Sequence, residues 1–191
     1  MRKRLYVAYG SNLNITQMRY RCPTARLYGT GQIKDYELQF KGDPKSAFAT
    51  IAPKEGSCVP AAVWEIQPMD ELCLDRYEGY PSHYFKQNIP VQIDGEKMNA
   101  MVYIMNLKMD FGLPSLHYYQ TVLKGYQDCK LDIDVLHRAV GDSAKQYYSS
   151  AVQRFSQENL FHGCDKDFET EKIEGGKDDA LDESDPFYYF M

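Results

Sequence analysis

The stretch VAYGSNLN, Val7–Asn14, places a short apolar run directly before a turn of small polar residues. Leu5–Tyr9 is predicted to form a first strand, and Asn14–Arg21 a short helix or turn. The polar residues between them therefore lie where a strand end meets a helical turn. Such a junction brings backbone and side-chain hydrogen-bond donors together at one point.

Three residues of this turn suggest a binding site. Gly10 can adopt a positive φ and lets the backbone approach a ligand closely. Ser11 and Asn12 add a hydroxyl and an amide at the start of the following helical turn, where free N–H groups favour anions. The turn could therefore hold a carboxylate or a developing oxyanion. The alternative is an ordinary strand-to-helix connection that is capped by Ser or Asn.

Strand patterns follow this turn. Ala25–Phe40 carries β-type residues interrupted by two glycines, which predicts strands with a bend or bulge. Ala47–Pro53 and Cys58–Ile66 predict two more strands, joined through Pro53 and Gly56. The pair Asp94-Gly95 lies between two strand-like runs and predicts a hairpin.

Helical patterns begin at Pro68, which starts a predicted helix that stops at Gly79. From Ser115 onward two helices are predicted, the second interrupted at Gly141-Asp142. Strands dominate the first two thirds and helices the rest. This order favours an α+β fold with a largely antiparallel sheet or barrel.

The charge along the chain is uneven. Residues 156–191 hold 11 of the 27 acidic side chains and 3 of the 22 basic ones, whereas residues 1–155 hold 16 acidic and 19 basic side chains. We therefore expect a domain at 1–155 and an acidic extension at 156–191. The domain lacks the basic excess that nucleic acid binding needs. The apolar end of the extension, Phe187–Met191, is suited to docking on its own domain or on a partner.

Membrane attachment and secretion are not expected. The longest apolar runs are too short to cross a bilayer. The basic start MRKR precedes an apolar run too short for a signal-peptide core, so a cytoplasmic protein is expected. Five scattered cysteines with no C-x-x-C pair predict reduced thiols rather than disulfides or a zinc site.

Glu78, in the segment DRYEGYP, is a candidate acid/base group. It lies in the last turn of a predicted helix, where the partial negative charge of the helix end disfavours an anion. Held inside the protein, its carboxyl group would have a raised pKa and could exchange protons near neutrality. The alternative, which spacing alone favours, is a solvated acidic stripe formed by Glu71, Asp75 and Glu78.

Taken together and in order, several segments resemble the gamma-glutamylcyclotransferase family, the AIG2-like or BtrG-like proteins. The resemblance covers residues 5 to about 145 and rests on YGSNL, RCPTARLYGTGQIKDYELQF, ATIAP, AAVWEI, LDRYEGYP, Tyr84, MVYIM and PSLHYYQTVLKG. It implies a small, mostly antiparallel β-barrel flanked by helices, with one cavity.

The resemblance also implies roles for individual residues. Glu78 falls on the acid/base glutamate of the family. The turn that binds the alpha-amino acid end of a gamma-glutamyl group, and three further substrate-contacting tyrosines, fall on Tyr9, Gly10, Ser11, Asn12, Tyr84, Tyr103 and Tyr118.

The implied reaction removes a gamma-glutamyl group as 5-oxoproline and frees an amine. No metal and no cofactor are expected, and the expected partner is a small gamma-glutamyl substrate; the oligomeric state is not predicted. The YGSN form differs from the shorter loop of the glutathione-dedicated branch, so a gamma-glutamyl amino acid, polyamine or crosslink remnant stays open as substrate. Two alternatives remain: a related hydrolase or transferase, and a non-catalytic module that binds an amino-acid-like ligand or a peptide end.

Overall fold

The computed structural model describes residues 3–106 and 108–162. Within these residues the elements are, in chain order, β1 (Arg4–Ala8), a 3₁₀ turn (Ser11–Leu13), α1 (Ile15–Arg21), β2 (Arg26–Lys41), β3 (Phe48–Ile66), α2 (Pro68–Glu78), β4 (Tyr84–Ile93), β5 (Glu96–Met105), α3 (Leu116–Asp128) and α4 (Ile133–His162). No helix in this described part is long and apolar enough to span a bilayer. The prediction for Phe187–Met191 lies outside the described residues.

The five strands close into a barrel in the order β1-β3-β2-β4-β5. Strand β1 pairs antiparallel with β3, where Val7 faces Val63, and parallel with β5, where Val7 faces Val102. The other pairs are antiparallel. The predicted α+β fold with a mostly antiparallel barrel and flanking helices is therefore confirmed. Because β1 is bonded on both sides, the turn that follows it is held at one end of the barrel.

The two strands predicted at Ala47–Pro53 and Cys58–Ile66 are one strand, β3, of 19 residues. The predicted break is instead an irregularity in pairing: on β2, Lys34 faces Cys58 but Tyr36 faces Pro53. The side chain of Asp35 accepts a hydrogen bond from the Gly56 N–H at 3.0 Å across this bulge. The long partner strand β2 pairs with both halves, so the extra residues loop out without ending the strand.

Helix α4 is also continuous through the predicted interruption at Gly141-Asp142. A glycine costs a helix about 1 kcal/mol relative to alanine, which is too little to break a helix of 30 residues. Asp142 also pairs with Lys145 one turn later, at 3.1 Å.

The backbone divides into two units, residues 1–150 and 151–191. The domain boundary drawn from charge at 155/156 remains a prediction.

Helix α3 holds the turn after β1 in place. Its residues Val122 and Tyr126 are fully buried in the core. A Cβ atom on Gly125 would lie 2.5 Å from Leu13 Cβ and 2.7 Å from the Asn14 N atom, so only glycine permits this approach. Because α3 packs closely against the turn, its first residues lie at the end of the barrel.

Candidate active site

One pocket gathers all eight predicted site residues. It is lined by Tyr9, Gly10, Ser11, Asn12, Glu78, Tyr84, Tyr103 and Tyr118, together with Tyr6 and Ala49, which sequence reasoning did not single out. The roles assigned to these residues remain predictions, but their positions are consistent with a single site for a small ligand.

The turn after β1 directs its polar side chains into this pocket. Ser11 and Asn12 are buried, whereas Asn14 caps α1 through its side-chain oxygen. The capping alternative thus applies to Asn14 and leaves Ser11 and Asn12 for the pocket. The first donor used within the turn is the Leu13 N–H, which bonds the Gly10 carbonyl at 3.0 Å. The preceding N–H groups, those of Ser11 and Asn12, take no part in that turn.

Gly10 serves the pocket through its size. Its φ is −115°, so Gly10 does not use the positive φ that a glycine can adopt. A Cβ atom here would lie 3.2 Å from Ala49 Cβ and 3.3 Å from the Tyr118 hydroxyl. The absence of a side chain therefore allows β1, β3 and α3 to converge on the pocket floor.

Glu78 reaches the pocket from the end of α2. The helix stops at Gly79, whose φ of 62° is left-handed, as predicted for a glycine cap. The half-buried Glu78 accepts a hydrogen bond on Oε1 from Asn12 Nδ2 at 2.8 Å. The same Nδ2 donates to the Tyr6 hydroxyl at 2.8 Å. The amide thus links the carboxylate to the turn.

Burial raises the pKa of Glu78 to about 7, against the opposing influence of the Arg21 cation and the Asn12 hydrogen bond. Both protonation states are populated near neutral pH. The acidic stripe does not form, because Glu71 and Asp75 instead hold Lys86, at 2.6 and 2.7 Å from its Nζ. Glu78 points away from them into the pocket.

Three of the pocket tyrosines donate their hydroxyl protons to the protein. Tyr9 donates to the Tyr103 carbonyl at 2.6 Å, and Tyr84 to the Ala49 carbonyl at 2.9 Å. The Tyr103 hydroxyl donates to Asp75 Oδ1 at 2.6 Å. These three rings form walls, and their oxygens remain able to accept hydrogen bonds.

Tyr118 differs from these three tyrosines. Its hydroxyl accepts the Ala49 N–H at 3.2 Å and also has a hydrogen-bond interaction with the Ser11 side chain, so it lies against the turn after β1. Burial raises its pKa well above the usual value, which keeps it a neutral donor. Phe48 packs edge-on against its ring, with centroids 4.9 Å apart.

Two residues beside the pocket were missed by sequence reasoning. The Tyr77 hydroxyl and Ser11 Oγ lie 3.1 Å apart. The guanidinium of Arg21 lies 3.6 Å from the centre of the Tyr77 ring and donates to Asn12 Oδ1 at 2.6 Å. No spacing rule links Arg21 to a helix that begins nearly fifty residues later, so only the tertiary structure reveals this contact.

A comparison with known protein families shows which family this sequence matches. The family model described as "Gamma-glutamyl cyclotransferase, AIG2-like" matches residues 6–121 of this sequence. The chain belongs to this family. Residues 6–121 of this gamma-glutamyl cyclotransferase family member include every lining residue of the pocket.

The sequence of this family member is similar to two gamma-glutamylcyclotransferases. The one from Bos taurus is 27% identical over 143 residues, and the one from Homo sapiens is 26% identical over 140 residues. Each match covers 68% of this chain and 73% of the relative.

Two solved structures show the same fold as this family member. A gamma-glutamyl cyclotransferase has a TM-score of 0.66 at 24% identity, over 72% of this chain and 86% of that chain. YkqA from Bacillus subtilis has a TM-score of 0.57 at 19% identity, over 66% of this chain and 49% of that chain.

Among the described residues of this family member, no group of three or more His, Cys, Asp or Glu side chains is arranged to hold a metal ion.

Proposed function

We propose that this protein is a gamma-glutamylcyclotransferase-type enzyme that releases 5-oxoproline from a gamma-glutamyl amine or amino acid. The observation that supports this function is the 2.8 Å contact between Glu78 and Asn12. It places a carboxyl group with a pKa of about 7 beside the polar turn, in one small pocket.

The reaction is an intramolecular acyl transfer. The alpha-amine of the gamma-glutamyl group attacks its own gamma-carbonyl carbon, a C–N bond closes the five-membered ring, and the gamma-amide C–N bond breaks. The nucleophile belongs to the substrate, so the protein needs no attacking serine or cysteine. Its task is to fold the substrate into the attack geometry, and orientation of this kind lowers barriers by ~7 to 11 kcal/mol in favourable cases.

The turn after β1 is suited to hold the alpha-carboxylate of the substrate. The N–H groups of Ser11 and Asn12 and the Ser11 hydroxyl are its donors, and Tyr118 of α3 adds a neutral O–H close to Gly10. Donors that converge from two elements fix both the position and the direction of a planar carboxylate.

Glu78 is proposed to move the protons. The alpha-amine of an amino acid is largely protonated at neutral pH, since its pKa is about 8. Asn12 bonds Oε1 of Glu78, which leaves Oε2 to take the proton from the amine. The carboxyl group then returns a proton to the departing amine. General acid–base catalysis of this kind contributes about 10² to 10⁴ in rate.

A product assay tests the proposal. The purified protein is incubated with a gamma-glutamyl amino acid, a gamma-glutamyl polyamine and a gamma-glutamyl-lysine crosslink remnant, and 5-oxoproline and glutamate are quantified. Release of 5-oxoproline supports the cyclotransferase. Glutamate would instead indicate a hydrolase, and neither product with measurable binding would indicate a non-catalytic module.

Two glutamine variants sharpen this assay. Glu78→Gln should fold but release no 5-oxoproline, because the amide cannot accept the proton. Glu55→Gln, at an exposed position of β3, is the matched control and should react like the unmodified protein. Full activity of Glu78→Gln would contradict the mechanism.

A further inference from the structure

Arg21 is held by three elements at once. One guanidinium nitrogen donates to Asn12 Oδ1 at 2.6 Å in the 3₁₀ turn, and a second donates to Gln17 Oε1 at 2.5 Å in α1. The guanidinium carbon lies over the ring of Tyr77 in α2, 3.6 Å from its centre. A planar fork bonded at two points and stacked on a ring has little freedom to turn.

This arrangement determines which way the Asn12 amide points. An asparagine side chain has an acceptor oxygen on one side and a donor NH₂ group on the other, whereas arginine has donors only. Arg21 therefore requires Oδ1 on its own side and sends Nδ2 toward Tyr6 and Glu78. With the amide turned over, Oδ1 would face the Glu78 carboxylate, two acceptors would meet, and Arg21 would face an NH₂ group.

We propose that Arg21 is a positioning residue. It fixes the orientation of the Asn12 amide, and the amide in turn holds the Glu78 carboxyl group toward the substrate. This inference rests on the reaction proposed above. Arg21 acts through Asn12 and not by contact with the reacting atoms. Its position on the far side of the amide from Glu78 distinguishes it from the pocket-lining residues.

Arg21 also acts on Glu78 by charge. Its cation lowers the pKa of the carboxyl group in opposition to burial. The other titratable groups of the pocket are five tyrosines from the neighbouring elements, whose pKa values burial raises, so they are neutral near pH 7: Tyr6, Tyr9, Tyr84, Tyr103 and Tyr118. Among the described residues that influence Glu78, Arg21 is therefore the charged one.

Charge and orientation can be separated with two substitutions. Arg21→Met removes both the cation and the fork, while Arg21→Lys keeps a cation but cannot bond Asn12 and Gln17 together in one plane. Arg19→Met is the matched control, because Arg19 is an exposed arginine in the last turn of the same helix.

The measurement is kcat/KM for 5-oxoproline release as a function of pH. Arg21→Met should lower the plateau roughly ten- to hundredfold, as expected for a misaligned catalytic group. It should also move the acidic limb to higher pH, because the Arg21 cation no longer lowers the pKa of Glu78. In Arg21→Lys the acidic limb should lie at the same pH as in the unmodified protein, but the plateau value of kcat/KM should stay low. Arg19→Met should change neither quantity.

The plateau decides the inference. An unchanged plateau in Arg21→Met, or a fully restored plateau in Arg21→Lys, would overturn it. Should Arg21→Met fail to fold in a thermal melt, Arg21→Lys carries the test. Gln17→Leu then serves as the second variant, because it removes one hydrogen-bond acceptor of the Arg21 guanidinium without a change of charge. It should lower the plateau value of kcat/KM and leave the acidic limb of the pH profile where it is.

A spectroscopic readout keeps this inference separate from the proposed function. If the unmodified protein releases no 5-oxoproline, the function fails, but the orientation of Asn12 can still be measured. In the unmodified protein the side-chain NH₂ resonances of Asn12 should shift as Glu78 titrates near pH 7, and in both Arg21 variants this response should weaken at least twofold. If the Asn12 resonances of the unmodified protein do not shift as Glu78 titrates, the inference is overturned even in an active enzyme.

Discussion

Replacing Glu78 by Gln should make the protein more stable above neutral pH. Burial raises the pKa of this carboxyl group from its ordinary 4.5 to about 7 in the folded protein. The folded state therefore holds the proton more tightly than the unfolded state. The stabilisation that this proton provides is complete below pH 4.5 and is lost as the pH rises through about 7. A glutamine carries no charge and should not show this loss.

The size of the effect follows from the two pKa values. At about 1.4 kcal/mol per pH unit, the difference corresponds to a cost of about 3 kcal/mol once both states are ionised. About 2.5 kcal/mol of this cost develops between pH 5 and pH 8. For a protein of this size, that is a change of about 5 to 10 °C in melting temperature. Glutamine can retain the Asn12 hydrogen bond through its side-chain oxygen, so the bond itself should contribute little to the difference.

The assay is a series of urea and thermal melts at pH 5, 6, 7 and 8. The unmodified protein, Glu78→Gln and the exposed-site control Glu55→Gln are compared at each pH, so the titration of all other groups cancels. The advantage of Glu78→Gln should grow with pH, while that of Glu55→Gln stays constant. A difference of equal size at every pH would refute the reasoning, because the carboxyl group would then ionise as freely in the folded state as in the unfolded one.

Three further predictions follow from close contacts. Gly10→Ala should lower kcat/KM roughly tenfold, since the new methyl group meets the Tyr118 hydroxyl at 3.3 Å; an unchanged value in steady-state kinetics would contradict this. Tyr118→Phe should raise KM about tenfold, because one neutral hydrogen bond to the substrate is lost, and should lower the melting temperature, because the buried Ala49 N–H loses its acceptor. Gly125→Ala should lower the free energy of unfolding by about 2 kcal/mol or more in urea melts, because its methyl group would lie 2.5 Å from Leu13 Cβ. Gly141 has open space around it, so Gly141→Ala should raise the free energy of unfolding by about 0.5 to 1 kcal/mol.

The sequence predicted the local elements well where turn and cap chemistry act over a few residues. The stop of α2 at Gly79 and the hairpin turn at Asp94-Gly95 are both present, each with a left-handed glycine. It failed at Gly141 and in the middle of β3, where local breaking signals were outweighed by a long helix and a long partner strand. Local propensities are small, so extended hydrogen-bonded partners override them.

The sequence by itself determined that a polar turn follows the first strand and that a carboxyl group stands at the end of a helix. Only the tertiary structure decided that these two meet. Asn12 and Glu78 are 66 positions apart, and they meet because the end of α2, which follows β3, lies beside the turn that follows β1, the strand paired with β3. The Tyr77 ring that lies against Arg21 likewise comes from a distant element, α2. Residue patterns describe neighbours along the chain, whereas the proton affinity of Glu78 arises from neighbours in space, through burial and one nearby cation.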